Sequence, residues 1–340
     1  MRVGIIGGGF GLNVQAPIIN LHPNMELIAI STMNRHYIPK NLLEMKSKPR
    51  HYRNWVEMLN DETLELLFVS SLPIYHFEMV KEAIKRGIEV VCEKPFTMNR
   101  HESKELLGLS ERFKSKVMID FEWRYLPIRQ KMKKLIRDGL VGDLLHVEYH
   151  ISSSQYQQLH STKRGWMGDK QKFGGMLGAL GTHMIDCLRW LTQDEVLSLN
   201  GLSHTHVPKT LGEIRDADDA FFIHGKLDSG TTFSLQLITG IHHGVGASLK
   251  IFGRKGTLHL VNDQQLYLGK ANQELKEVPF GQLESVPTSL SDEAKAYYLA
   301  FHPFLHKVHQ YIQDDNLDDD LPTIEDGHKN QLILDEILGT

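Results

Sequence analysis

From residue 2 to about 120, short runs rich in Val, Ile and Leu alternate with longer amphipathic stretches, and few folds accept that alternation. Runs of the two kinds in turn build βαβ units, whose crossover helices return the chain so that the strands lie parallel. Strands are expected over 3–6, 27–31, 66–70, 89–92 and 116–119, with helices over 13–21, 75–86 and 100–114. Asn99 is placed to cap the last of these. Beyond Tyr125 the pattern changes. A helix over 127–138 leads through Gly142 into a strand over 144–154, and a second helix follows over 174–191. Alternating segments over 220–227, 231–237, 247–252 and 257–261 then suit a largely antiparallel sheet with one covered face. Residues 269–290 read as polar and irregular, and helices over 292–313 and 323–338 close the chain. At 340 residues one core is too little, so two domains are expected, 1–122 and 123–340.

The first strand runs straight into Gly7-Gly8-Gly9-Phe10-Gly11. A glycine-rich turn between a first strand and a helix lets backbone amides approach a pyrophosphate where the helix dipole favours negative charge. GxGxxG spacing would put a third glycine at Leu12, so its role passes to Gly11 and the turn is one residue tighter. The fold class expected is α/β plus α+β: an N-terminal Rossmann dinucleotide-binding domain, and a C-terminal domain with a largely antiparallel open sheet. Gly7, Gly9, Phe10 and Gly11 are assigned to the cofactor. At the end of the second strand, NAD sites place an acid on the adenosine ribose, whereas this chain reads Ser31-Thr32-Met33-Asn34-Arg35. With no carboxylate to repel a 2′-phosphate, and with Thr32 and Arg35 to bind one, NADP is preferred over NAD. Ser71, Leu72, Pro73 and His76 follow the third strand and are assigned to flank the cofactor, His76 as a packing or hydrogen-bonding residue rather than a catalyst.

Glu93-Lys94-Pro95 closes the buried run before it, placing a lysine at the carboxyl end of a parallel strand, where open α/β sheets hold ligands. Glu93 and Lys94 are expected beside the cofactor, and Lys94 can polarise a substrate oxygen. In the second domain, Gly174-Gly175 and Gly178-Ala179-Leu180-Gly181-Thr182-His183 make a helix rich in residues that weaken it. His183 is read there as the proton-exchanging group, with Asp186 one turn on. Asp186, Arg124 and Trp166 are assigned to the substrate.

The formal charge of -4 offers nothing to a polyanion, so no nucleic-acid partner is expected. No apolar stretch approaches the roughly 20 residues of a membrane span, and a cytoplasmic protein is expected. Cys92 and Cys187 read as buried thiols. The other histidines lack HExxH or supporting cysteines, and the acidic loop 314–320 has Asp319 where a calcium loop needs glycine, so no metal site is assigned.

With these residues in hand, the chain resembles the Gfo/Idh/MocA oxidoreductase family over nearly its full length. The markers are the glycine turn, Pro73 with His76, Glu93-Lys94-Pro95, Arg124 with Pro127, Gly139 with Gly142, and the helix over 174–186. The resemblance implies a Rossmann domain, a second α/β domain with an open sheet, and a homodimer or homotetramer built through that sheet. It also implies a lysine, an aspartate and a histidine as catalytic set. Lys94 and His183 match, but Ala179 stands at the aspartate position and cannot exchange a proton. The activity expected is NAD(P)-dependent hydride transfer to or from a sugar, polyol or related hydroxyl or carbonyl compound. A dinucleotide-dependent glycosidase of the same fold, or a non-catalytic dinucleotide-binding regulator, stands as the alternative.

Overall fold

The computed structural model describes residues 1–33, 47–281 and 283–339. Contacts group the chain into two units, Met1–Tyr125 with Glu284–Lys329, and Leu126–Leu283 with Asn330–Thr340. The single division at 122/123 expected from the sequence follows chain order and does not include this late return to the first unit.

Six strands form the first unit's sheet: β1 (Arg2–Ile6), β2 (Glu26–Ser31), β3 (Arg50–Tyr52), β4 (Leu66–Val69), β5 (Glu89–Cys92) and β6 (Val117–Ile119). Their order is β3-β2-β1-β4-β5-β6, and every neighbouring pair is parallel. The winding reverses between β1 and β4, the place where such sheets bind ligands beyond the strands' carboxyl ends. Both faces are covered, which is why β4 reads as an unbroken apolar run and is buried throughout. The pleat sends Ile6, Leu67 and Val69 toward α2 (Trp55–Asp61), α3 (Pro73–Lys85) and α4 (Arg100–Phe113). Val3, Ile5, Leu66 and Phe68 instead meet α1 (Ala16–Ile19) and the 23-residue helix Asp292–Asp314, which contributes Phe301, Phe304, Leu305 and Val308. Asn99 caps α4 as expected, its side chain accepting from the backbone N–H of His101 and Glu102 at 3.0 Å each.

In the second unit, α5 (Pro127–Arg137), α6 (Tyr156–Ser161) and α7 (Thr182–Thr192) accompany an eight-stranded sheet. Its strands are β7 (Leu144–Ser152), β8 (Val196–His204), β11 (Ala220–Leu227), β12 (Thr232–Ile238), β13 (Gly246–Gly253), β14 (Gly256–Val261), β15 (Gln265–Lys270) and β16 (Lys276–Glu277). β9 (Lys209–Thr210) and β10 (Glu213–Ile214) pair separately. The order β16-β15-β14-β13-β7-β12-β11-β8 is antiparallel at each junction except β7 with β12, which run parallel. Phe233, Leu235 and Leu237 are buried while Ser234 and Gln236 between them are partly exposed, the alternation of a sheet with one covered face.

A buried guanidinium ties this unit together. Arg129 on α5 donates from Nε to Asp263 Oδ1 at 2.8 Å and from Nη2 to Asp263 Oδ2 at 2.9 Å. It also donates from Nη2 to the Tyr149 hydroxyl on β7 at 2.6 Å and from Nη1 to Cys187 Sγ on α7 at 3.2 Å. One residue thus joins two helices, the central strand and the β14–β15 turn.

Candidate active site

The glycine turn divides its labour. A Cβ on Gly7 would be driven into the carbonyl of Ser70 just beyond β4, and one on Gly11 would lie 2.9 Å from Ile5 Cγ2 and 3.0 Å from Ser70 Cβ. Those two glycines let the turn and its helix lie against β1 and β4, and Gly11 performs the packing role of the third glycine. Gly9 is different, because a Cβ there meets nothing within 4 Å. Bare backbone with open space beside it is what a dinucleotide-binding turn requires, so these residues fit a pyrophosphate. The helix begins at Gly11, two residues before the expected start, as a widened turn in which the Ala16 N–H reaches the Gly11 carbonyl. Such i→i+5 turns recur at functional sites. Phe10 precedes it and sets its ring edge-on to Tyr297, with centroids 4.9 Å apart.

Lys94 follows β5 and is half-buried, and its bond to Pro95 is cis. His76, fully buried on α3, directs Nδ1 at the carbonyls of Pro95 (3.0 Å) and Phe96 (3.3 Å) and Nε2 at that of Ser71 (3.1 Å). Burial lowers its pKa against the opposing pull of these carbonyls. His76 therefore braces the lysine segment against the end of β4, consistent with a hydrogen-bonding residue. Leu72 precedes α3 and Pro73 takes its first position, which costs no hydrogen bond there. The Ser71 hydroxyl donates to Leu72 O and to Met79 Sδ, each at 3.3 Å.

Behind Lys94 lies a buried polar cluster that local sequence patterns do not reveal. Gln15 Nε2 donates to Glu93 Oε1 at 2.9 Å and to Asp120 Oδ2 at 2.8 Å, while its carbonyl accepts from the Ser70 hydroxyl. Burial raises the pKa of both acids, and Asp120 is raised further by Glu93 and Glu122 beside it. Only the arrival of β5 and β6 side by side brings these groups together.

At the end of β2, Thr32 is buried and its hydroxyl lies 2.6 Å from His51 Nε2, on the edge strand β3. Arg35 lies outside the described residues. Arg124 is buried in the first unit, its Nη2 3.1 Å from Asp326 Oδ1 and its Nη1 donating to Asp320 O at 3.4 Å. An anionic substrate group would have to compete with that pair.

In the second unit, His183 and Asp186 sit on α7 and both are 2 % exposed. The helix expected from 174 begins later: Gly174 and Gly175 form its approach, a second i→i+5 turn spans Leu177–Gly181, and α7 proper starts at Thr182. Gly175 has φ +104°, which L side chains rarely adopt, and a Cβ there would also strike Asp218. Asp218 caps this start, accepting from Met176 N at 3.1 Å and Leu177 N at 2.9 Å. Burial pushes its pKa up to about 6. Asn330 secures the same helix through two bonds to Thr182, at 3.0 and 2.9 Å. Ala179 is half-buried in the wide turn, and Trp166, in a short 3-10 turn, is 36 % exposed. Among the described residues, no group of three or more His, Cys, Asp or Glu side chains is arranged to hold a metal ion.

Two family models match this chain. Residues 1–121 match the oxidoreductase family with NAD-binding Rossmann fold, and residues 129–259 match the GFO/IDH/MocA C-terminal domain. The chain belongs to the Gfo/Idh/MocA family of oxidoreductases. Within that family it is similar to an uncharacterised oxidoreductase of Synechocystis sp., at 27 % identity across 98 % of this chain and 92 % of the relative. It is also similar to glucose-6-phosphate 3-dehydrogenase of Bacillus subtilis, at 24 % identity across 98 % and 94 %. A levoglucosan dehydrogenase solved with NADH and levoglucosan superposes with a TM-score of 0.83 at 20 % identity, covering all of this chain and 96 % of that one. As a Gfo/Idh/MocA protein, it carries the family's NAD-binding Rossmann fold over residues 1–121.

Proposed function

We propose that this chain is an NAD(P)-dependent dehydrogenase or reductase acting on a hydroxyl or carbonyl carbon of a sugar, polyol or related compound. The observation that carries the reading is a glycine turn open at Gly9, at the switch point of a parallel sheet whose fifth strand, Glu89–Cys92, is followed by Lys94. Dehydrogenases named for glucose 6-phosphate and levoglucosan among its relatives support the substrate class.

Gly7, Gly9, Phe10 and Gly11 would hold the pyrophosphate, with Ser71, Leu72, Pro73, His76 and Glu93 around the rest of the cofactor. When bound, the nicotinamide supplies the hydride acceptor or donor. Lys94 is a compact ammonium on a flexible stem and polarises the reacting oxygen, while His183 exchanges the hydroxyl proton. Trp166 and Asp186 contact the substrate, and Arg124 does so where an anionic group displaces Asp326. No carboxylate stands at Thr32, which favours NADP over NAD. Assembly as a homodimer or homotetramer through the open sheet, and a cytoplasmic setting, belong to the same reading.

The test is a sugar and polyol panel followed at the nicotinamide absorbance, with NAD and NADP in parallel and with Lys94→Ala and His183→Ala. Wild type turns over, and each variant loses at least about a hundredfold, the scale of a removed proton-transfer group. Variants that keep full activity would refute both assignments.

A further inference from the structure

Three buried groups behind Lys94 form one arrangement. Gln15 stands in the widened turn that follows the glycine loop, Glu93 directly precedes Lys94 after β5, and Asp120 follows β6. Gln15 is 0 % exposed, Glu93 8 % and Asp120 1 %. The amide of Gln15 has two N–H donors, and one nitrogen serves both acids at 2.9 and 2.8 Å. Its orientation is fixed from behind, because its oxygen accepts from the Ser70 hydroxyl and so cannot turn toward the carboxyls.

Two carboxylates this close and this dry cannot both be ionised. We propose that Glu93 and Asp120 hold a single proton between them, and that Asp120 is thereby a positioning residue that keeps one negative charge beside Lys94. The same proton closes a chain of bonds from Ser70 through Gln15 to the ends of β5 and β6. Through Gln15 that chain fixes the helix turn on which the pyrophosphate amides depend. The direction of the shifts agrees: burial raises both acids, Glu93 raises Asp120 further, and Lys94 pulls Glu93 down. The remaining titratable groups facing the pair are Lys94, Glu122, Cys92 on β5 and Tyr297 from the helix Asp292–Asp314. Loss of the shared proton would leave two adjacent anions under the cofactor turn, so dinucleotide affinity falls as pH rises through that step.

The inference rests on the dinucleotide reading of the first unit and not on any substrate. A chain that binds NADH yet oxidises nothing on the panel would defeat the functional reading and leave this one standing. The experiment has a spectroscopic arm on the free full-length protein and a binding arm with NADH. Infrared spectra at pH 7 should show a buried carboxylic-acid C=O band in wild type that Asp120→Asn lacks, with thermal melting confirming that the variant is folded. NADH titration by fluorescence at pH 7 should give Asp120→Asn within about threefold of wild type, because an amide can still meet Glu93. Asp120→Ala should bind about tenfold more weakly, the scale of one lost charged hydrogen bond. A wild-type spectrum without the acid band overturns the proposal, and so does an Asp120→Asn protein that keeps the band or binds as weakly as Asp120→Ala.

Discussion

Replacing Asp263 by asparagine tests whether one buried ion pair holds the second unit together. Arg129 is 1 % exposed, and Asp263 supplies both acceptors of its bidentate pair. Asparagine suits the backbone, since residue 263 has φ +53° and Asn tolerates that left-handed region. What changes is charge: the guanidinium stays ionised and loses the carboxylate of its bidentate pair, while Tyr149 and Cys187 stay as neutral partners. Breaking a buried pair from one side costs about 3–5 kcal/mol. Asp263 is 28 % exposed, so water reaches part of the site and the lower end, about 3 kcal/mol, applies. For a unit of this size that lowers Tm by about 6–12 °C. Arg129→Met removes the charge itself, at the expense of an unpaired Tyr149 hydroxyl, and the double variant should be no less stable than the worse single one. Urea unfolding and scanning calorimetry on all four proteins complete the cycle. A loss below about 1 kcal/mol for Asp263→Asn, or strict additivity in the double variant, would refute the reasoning.

Two further outcomes follow from the first unit. Gly9→Ala should leave Tm unchanged, because its Cβ meets nothing, yet weaken NADH binding at least about tenfold by placing a methyl where the pyrophosphate must approach; calorimetry with fluorescence titration decides, and unchanged affinity counts against the turn. His22 lies with Nε2 3.1 Å from His306 Nδ1, and its pKa is lowered to about 4 by burial and by the imidazoles of His306, His309 and His302 and the N-terminal amine. Unfolded, it titrates near 6.5, so the unfolded chain binds more protons between these values and stability falls with pH from about 6.5 to 4, then levels. His22→Asn should flatten part of that descent in Tm between pH 7 and 4.5, and parallel curves would remove His22 from it.

What the sequence disclosed and what it hid have physical causes. Central strands such as Leu66–Val69 announce themselves because both faces must be apolar, whereas Arg50–Tyr52 pairs with one neighbour at the sheet edge and carries no such run. Val196–His204 is an edge strand too, with Leu197 58 % and Leu202 59 % exposed, and its mixed residues carry no clean strand alternation. β15, α2 and α6 were equally hidden by short or polar composition. Glycines 7, 9 and 11 were legible because a strand stands directly before them. Lys94 was legible for its place after a buried run. Gln15, Asp120 and Asp218 were not, since the hydrogen bonds that gather them join residues 41 to 105 positions apart and no local spacing encodes such a meeting.

The long helix Asp292–Asp314 gives the first unit a history as well as a shape. One side of its sheet, Val3, Ile5 and Phe68 among them, rests on Phe301, Phe304 and Leu305, which a ribosome makes only after more than about 200 further residues. At about 5–20 residues per second, strands made early wait roughly ten seconds or more for their cover. Until then an oily surface faces the cell, and the nascent cofactor-binding half depends on whatever shields it.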